Sequence, residues 1–229
     1  IMKKLAVLSG AGVSKESGIN TFRDSDGMWE QYPVEEVASI EGWHRNPGLV
    51  LDFYNARRRD IRTREPNEAH RIIASLEKDF EVTVITQNID NLHERAGSTN
   101  IIHLHGEITK ARGEKSLTPV YDIGYNDIHL GDKDSRGQQL RPDIVWFGEA
   151  VPMIEKAADI VSECDILLVI GTSLVVYPAA GLVSYIRDGV PVYLIDPKPI
   201  RIGYRHYTQI QDVATSGMRT FLGMVPGLK

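Results

Sequence analysis

The chain alternates between short unbroken apolar runs and stretches whose apolar residues recur every three or four positions. The runs "KLAVLSGAG", "EVTVITQNID", "NIIHLHGE", "DILLVIGTS" and "VPVYLID" each end in glycine or in polar turn residues. A continuous apolar run of four to eight residues reads as a strand covered on both faces, the pattern of a parallel sheet. Between the runs, "PNEAHRIIASLEKDF" places Ala69, Ile72, Ile73, Leu76 and Phe80 at helical spacing, and "VPMIEKAADIVSEC" is helix-like. Strands alternating with helices predict βαβ units and an α/β fold. Two stretches break the alternation. Residues of about 30–65 read as helical and carry a run of arginines, while about 109–141 are rich in Gly, Asp and Lys with little periodicity. Both read as insertions projecting from the sheet.

Composition narrows the functional classes. The 229 residues are 42% hydrophobic and 25% charged, with a formal net charge of −5, which gives no general case for nucleic-acid binding. No apolar run approaches the roughly 20 residues needed to cross a membrane. The opening "IMKKLAVLSGAG" is basic and then apolar, but the apolar stretch is about five residues and no small-residue cleavage site follows, so it reads as a first strand. The single cysteine, Cys164, excludes an intramolecular disulfide and fits a reducing compartment. It enters an apolar run and reads as a buried structural thiol. A cytoplasmic protein is expected.

The candidate chemistry sits at the ends of the apolar runs. In "LSGAGVSKESG", Gly10 and Gly12 let the backbone turn tightly and approach a ligand, and the following helix would offer its N-terminal amides to an anion. The next glycine is Gly18, so the spacing departs from GxGxxG, and a tight turn without a ligand remains open. The absence of a GK[ST] ending argues against ATP or GTP chemistry. A second unit, "DILLVIGTSLVVYPAAGLVSYIRDGVPVYLID", reads as strand, glycine turn, helix and strand. It ends at Asp196, 25 residues beyond Gly171, near the spacing at which dinucleotide folds place a carboxylate on a ribose. A turn-initiating Asp before Pro197 is the alternative. In "TVITQNIDNLHERAG" a strand runs into Gln87, Asn88 and Asp90, where open α/β sheets place their ligands. In "IIHLHGE", His103 and His105 lie on one strand face. A metal pair completed by His93 or His129, a structural pair and a catalytic histidine are all open readings.

Together "GAGVSKESGINTFR", "TQNIDNLHERAG", "HLHGE", "IVWFGE" and "GTSLVVYPA" resemble the sirtuins, NAD-dependent protein lysine deacylases, in order and interval over nearly the whole chain. "GINTFRDSDGMWE" with "FYNARRR" is similar to the branch of bacterial deacylases and desuccinylase/demalonylase types. The resemblance implies one catalytic domain, 1–229. Its Rossmann-like part, a parallel sheet with helices on both faces, covers about 1–30, 66–108 and 142–229, and insertions of about 31–65 and 109–141 form a smaller module. NAD would lie between the two parts as a consumed co-substrate. By resemblance, Gly10, Ala11, Gly12 and Ser14 face its phosphates and ribose, and Phe22 and Arg23 lie on a loop covering it. Gln87, Asn88 and Asp90 line the nicotinamide pocket. Gly171, Thr172 and Ser173 hold the adenosine half, and Asp196 and Ala214 complete the cofactor set. His105 aligns with the family's general base and forms the catalytic set with Asn88 and Asp90, which leaves His103 structural. Val145, Phe147, Gly148 and Glu149 match the segment that pairs with an acyl-lysine peptide as a strand. The implied reaction is attack of the acyl oxygen on the ribose carbon bearing nicotinamide. Nicotinamide leaves and an alkylimidate forms; a ribose hydroxyl, with His105 as general base, attacks it, and water then releases free lysine and O-acyl-ADP-ribose.

The stretch "DFYNARRRDIRTRE" holds Arg57, Arg58, Arg59, Arg62 and Arg64. A solvated helix face is the default for such a run. The resemblance singles out Tyr54 and Arg57 as a Tyr-x-x-Arg pair that grips the distal carboxylate of succinyl- or malonyl-lysine. Arg58, Arg59, Arg62 and Arg64 are expected to pair with Asp60 and Glu65 or to face water. Ser25 stands where the branch tends to have Ala. The four zinc-binding cysteines usual in sirtuins are missing, so no zinc is expected, and Leu117, Val120, Tyr121, Ile123 and Tyr125 are expected to form an apolar cluster in its place. A monomer is expected. An ADP-ribosyltransferase and a non-catalytic NAD- or ADP-ribose-binding module are the rival functions.

Overall fold

A computed structural model describes residues 1–21, 31–204 and 206–229; Phe22, Arg23 and Ser25 lie outside the described residues. The chain runs from β1 (Lys4–Ser9) through a one-turn helix α1 (Gly12–Lys15) into helices α2 (Val34–Val37), α3 (Ile40–Arg45), α4 (Pro47–Arg62) and α5 (Glu68–Ser75). Strand β2 (Glu81–Thr86), helix α6 (Leu92–Ala96) and strands β3 (Ile101–His103), β4 (Gly106–Gly113), β5 (Val120–Asp122) and β6 (Leu140–Ile144) follow. Helix α7 (Ile154–Glu163), strands β7 (Ile166–Ile170), β8 (Val192–Ile195) and β9 (Tyr207–Ile210), and helix α8 (Ala214–Met224) complete it.

Six strands form one parallel sheet in the order β3-β2-β1-β7-β8-β9. The apolar runs are continuous because both faces are covered. Leu5, Val7, Val84 and Leu168 pack on one side with Ile73 of α5 and Phe221 of α8. Ala6, Leu8, Leu167 and Val169 pack on the other with Ala157 and Val161 of α7. From β1 the chain winds outward to β2 and β3 on one side, then returns to β7 and winds outward the other way. The strand order therefore reverses between β1 and β7, and in open α/β sheets the crevice beyond the carboxyl ends of such a pair is where ligands bind. Both glycine turns leave from that point. Among the described residues, no helix is long and apolar enough to cross a membrane.

The helical insertion and the three-stranded antiparallel sheet β5-β4-β6 share a third core built on Trp43, Val50, Phe53, Ile61, Ile108, Ile144 and Trp146. Weak periodicity hid this sheet in the sequence, and the short edge strand β9 was hidden too. The arginine run is not one solvated face. Arg58 is fully buried, donating from Nε to the Ile108 carbonyl (2.7 Å) and from Nη1 to Asn55 Oδ1 (2.8 Å), which ties α4 to β4. Arg59 instead pairs with Asp127 across the module, Arg64 with Asp60, and Glu65 with Arg95. The expected apolar cluster forms only in part: Ile123 and Tyr125 pack on the third core, whereas Leu117 and Val120 are exposed.

Candidate active site

The two glycine turns interlock at the switch point. Gly10 N–H donates to the Ile170 carbonyl (3.0 Å) and Gly12 N–H to that of Gly171 (2.8 Å). A Cβ on Gly12 would stand 2.7 Å from the Gly171 Cα, and Gly171 itself has φ +67°, with a Cβ position 2.4 Å from the Val13 nitrogen. Glycine is required here by close backbone approach as well as by the turn. The helix after the first turn is one turn long, and the amides of Gly12, Val13 and Ser14 are bonded to the Gly171, Gly10 and Ala11 carbonyls. The expected row of open amides is thus used internally: the Gly12 amide joins the two turns, and those of Val13 and Ser14 close the first turn on itself. Ala11 is exposed, while Thr172 and Ser173 are half-buried on the facing turn. Asp196 ends β8, where Oδ1 accepts the Lys198 amide (2.9 Å), so it does initiate a turn. Ala214 is buried at the start of α8, whose next amide, that of Thr215, donates to Glu16 Oε1 (3.0 Å).

Gln87, Asn88 and Asp90 follow β2 into the same crevice. Gln87 reaches across the switch point, its Nε2 donating to Thr172 Oγ1 (3.2 Å). Asn88 is buried and donates from Nδ2 to the Gly10 carbonyl (3.0 Å). Asp90 is buried too, accepting from Ser14 Oγ (2.8 Å) and from the Leu92 amide (3.0 Å). Burial raises its pKa against those two donors. Beneath this floor lie Ser9, Thr86, His70 and His93, all buried polar residues. Burial holds His70 at a pKa of about 4 and His93 at about 3, so both are neutral at physiological pH.

The two histidines of "HLHG" separate cleanly. His105 Nδ1 donates to the Gln87 carbonyl (3.1 Å), which fixes the tautomer and leaves Nε2 as the basic nitrogen. Burial lowers its pKa, partly opposed by that bond. His103 lies between two acceptors, the Asn88 carbonyl at Nδ1 (3.0 Å) and Glu94 Oε1 at Nε2 (2.5 Å). Burial disfavours its cation, but Glu94, Glu107 and the Asn88 carbonyl outweigh burial and the pKa is raised. Glu94, His103 and Glu107 do converge as a ligand-like group. Yet both His103 nitrogens bear hydrogens, and Glu107 pairs with Lys110 at 2.7 Å, so the charges are balanced within the protein.

In the helical insertion, Tyr54 and Arg57 lie one turn apart on α4. The Tyr54 hydroxyl is buried and accepts from Trp146 Nε1 (3.1 Å), which leaves its own hydrogen to donate; burial pushes its pKa up to about 12. Arg57 is half-buried against Phe53, and Tyr54, Asp60 and Asp90 support a charge that burial disfavours. The segment after β6 is anchored on every side. Val145 N–H donates to the His105 carbonyl (2.9 Å), and Phe147 pairs with Ala38 and Ile40 through its N–H (2.9 Å) and C=O (3.1 Å). The Glu149 carboxylate accepts two bonds from Arg141 (2.8 and 2.9 Å) and one from the Trp146 amide (3.0 Å). Arg141 is fully buried, 3.6 Å above the Trp146 ring. Glu149 is therefore an internal brace, and the segment's exposed members are Phe147 and Gly148. The supporting residues Ser9 and His70 carry no local signal that marks them, Thr86 and Trp146 lie within the motifs that carry the resemblance without a role of their own there, and His93 suggests only a metal ligand. The thiolate zinc implied by the resemblance does not fit: the small module holds no cysteine, and Cys164 is buried beside β7.

A model of the Sir2 family matches residues 10–178. An NAD-dependent protein deacylase of Bacteroides thetaiotaomicron is 57% identical over 204 residues, covering 87% of each chain. One of Helicobacter pylori (strain 26695) is 54% identical over 197 residues, covering 86% of each. The solved structure of a Sir2 homolog–NAD complex superposes with a TM-score of 0.88 at 36% identity, covering 100% of this chain and 91% of the other.

Proposed function

The chain belongs to the Sir2 family, and we propose that it is an NAD-dependent protein deacylase whose acyl pocket favours dicarboxylic groups, succinyl or malonyl, over acetyl. NAD supplies the ribose that accepts the acyl group and leaves as O-acyl-ADP-ribose. His105 takes the proton of the ribose hydroxyl at Nε2, since Nδ1–H is held by Gln87. Asn88 and Asp90 shape the nicotinamide end, and the interlocked turns at Gly10–Gly12 and Gly171–Ser173 shape the remainder of the cofactor crevice. Gly148, exposed on this segment, is the backbone contact for the substrate peptide, the Val145 N–H being taken by the His105 carbonyl. A single buried thiol suits a reducing compartment, and we place the protein in the cytoplasm.

The observation that carries the acyl preference is the Tyr54–Arg57 pair. A tyrosine kept protonated, and meeting Trp146 as an acceptor, has its hydroxyl hydrogen to donate, and one helical turn away stands a guanidinium. A terminal carboxylate suits those two donors. Hydrogen bonds to charged groups contribute about 1.5–3 kcal/mol, so the preference for succinyl over acetyl is about ten- to a hundred-fold. The test compares one peptide carrying acetyl-lysine or succinyl-lysine, with wild type and Arg57→Met, following deacylated product by mass. Selective loss of succinyl turnover in Arg57→Met is expected. Better turnover of acetyl-lysine by wild type, unchanged in the variant, would sink the preference, and silence on both peptides would sink the deacylase reading.

A further inference from the structure

His93 is 1% exposed, sits in α6 behind the nicotinamide end of the cleft, and takes no part in the chemistry above. Its Nε2 lies 2.9 Å from Ser9 Oγ. Ser9 Oγ donates to Thr86 Oγ1 (2.8 Å), and Thr86 Oγ1 accepts the backbone amide of Asn88 (3.0 Å). The hydrogens in this chain run one way. Ser9 gives its only hydroxyl hydrogen to Thr86, so it meets His93 as an acceptor and His93 Nε2 carries a hydrogen. His93 Nδ1 is then a bare acceptor, buried and without a hydrogen-bond partner among the described residues. The other tautomer would bury an unpaired N–H, which native interiors avoid more strictly than an unpaired acceptor. The ring of His70 packs edge-on at 5.0 Å and limits rotation, while His70 itself is committed through Nδ1 to the Asn67 amide.

We propose that His93 is a positioning residue for the nicotinamide end of the cleft: by donating to Ser9 it orients the Ser9–Thr86 hydroxyl pair that fixes the backbone amide of Asn88. Asn88 is held at three points, its N–H by Thr86, its C=O by His103 and its Nδ2 by Gly10. Without the His93 donor, Ser9 can turn its hydroxyl toward another acceptor, and the N–H anchor loosens while the other two stay. The defect is therefore confined to the backbone at Asn88, on which the carboxamide is carried into the cleft. Cofactor contacts made by the glycine turns are untouched.

The inference rests on the deacylase reading for its kinetic consequence but not for its structural one, and the test separates them. His93→Leu, His93→Gln and Ser9→Ala are compared for three properties: hydrogen exchange at the Asn88 amide, affinity for ADP-ribose (which lacks nicotinamide), and turnover of NAD with acyl-peptide. His93→Leu and Ser9→Ala are expected to speed Asn88 exchange at least about tenfold while Val7 and Val84 in the sheet core exchange as in wild type. Turnover falls about ten- to a hundred-fold, the scale of a small misplacement at a reacting centre, and ADP-ribose affinity stays within about twofold. His93→Gln, whose amide can donate to Ser9, restores most of both properties. Wild-type exchange at Asn88 in His93→Leu, faster exchange throughout the sheet, ADP-ribose affinity falling in step with turnover, or no rescue by Gln would each overturn the proposal. A wild type inactive on all acyl-peptides would overturn the deacylase reading, with exchange at Asn88 still deciding the role of His93.

Discussion

Hydrogen-bond direction decides most roles at the scale of single residues. His103 and His105 are two apart on neighbouring backbone, yet one faces two acceptors and the other faces one. That difference makes His103 a clamp between the Asn88 carbonyl and Glu94 and leaves His105 a basic nitrogen. Because burial lowers the His105 pKa, its neutral form persists on the acid side of the ordinary value of about 6.5. The acid limb of kcat/KM should therefore have its midpoint below 6.5, with the rate lost only as pH falls past that point. A pH profile with a slowly reacting acyl-peptide checks this, and a midpoint above 7 would exclude His105 as the titrating base. Sequence patterns place Gln87, Asn88 and Asp90 at a strand-end crevice, whereas His105 is singled out from His103 only by the resemblance. They could not distinguish Glu149 as a brace, because its partner Arg141 is eight residues away across a turn.

At the scale of elements, the apolar runs identified β1, β2, β7 and β8 because strands covered on both faces have no polar interruptions. Strands β4, β5 and β6 escaped the same reading. They are held by long polar side chains as much as by apolar ones, with Arg112 on Asp143 and Arg141 on Glu149. The arginine run of α4 misled for a related reason: charge in a sequence does not say which guanidinium is buried. Arg58 is the buried one, retaining its charge at a pKa lowered to about 10, and with Asn55 it joins α4 to both β4 and the loop at Ile128. Arg58→Ala leaves the Ile108 carbonyl without its donor and removes a charge-assisted bond to Asn55, a loss on the order of 3 kcal/mol. For a chain of this size the Tm should fall by about 6–12 °C. Scanning calorimetry reads this directly, and a shift under about 1 °C would mean that the clamp contributes nothing.

For the whole molecule, the neutral histidines under the cleft tie stability to pH. The folded-state pKa values of His70 (about 4) and His93 (about 3) lie below the unfolded value of about 6.5. The stability they contribute is present above 6.5. It is lost as pH falls toward the folded values, because the unfolded chain binds protons the native one excludes. The slope reaches about 1.4 kcal/mol per pH unit for each histidine. Asp90, with a raised carboxyl pKa, acts in the opposite sense at the acid end. The urea midpoint should drop between pH 7 and pH 5, and less so in His93→Gln. Equal midpoints in wild type would contradict the burial of these rings.

The strand order also determines when the molecule can exist. Strand β1 needs β7 as a neighbour, and β7 lies more than 150 residues downstream. At 5–20 residues per second the ribosome takes roughly 8–30 s to supply it. For that interval β1 lacks its β7 neighbour, and an unpaired apolar strand edge invites association with other chains, so yield in cells should track synthesis rate as much as final stability.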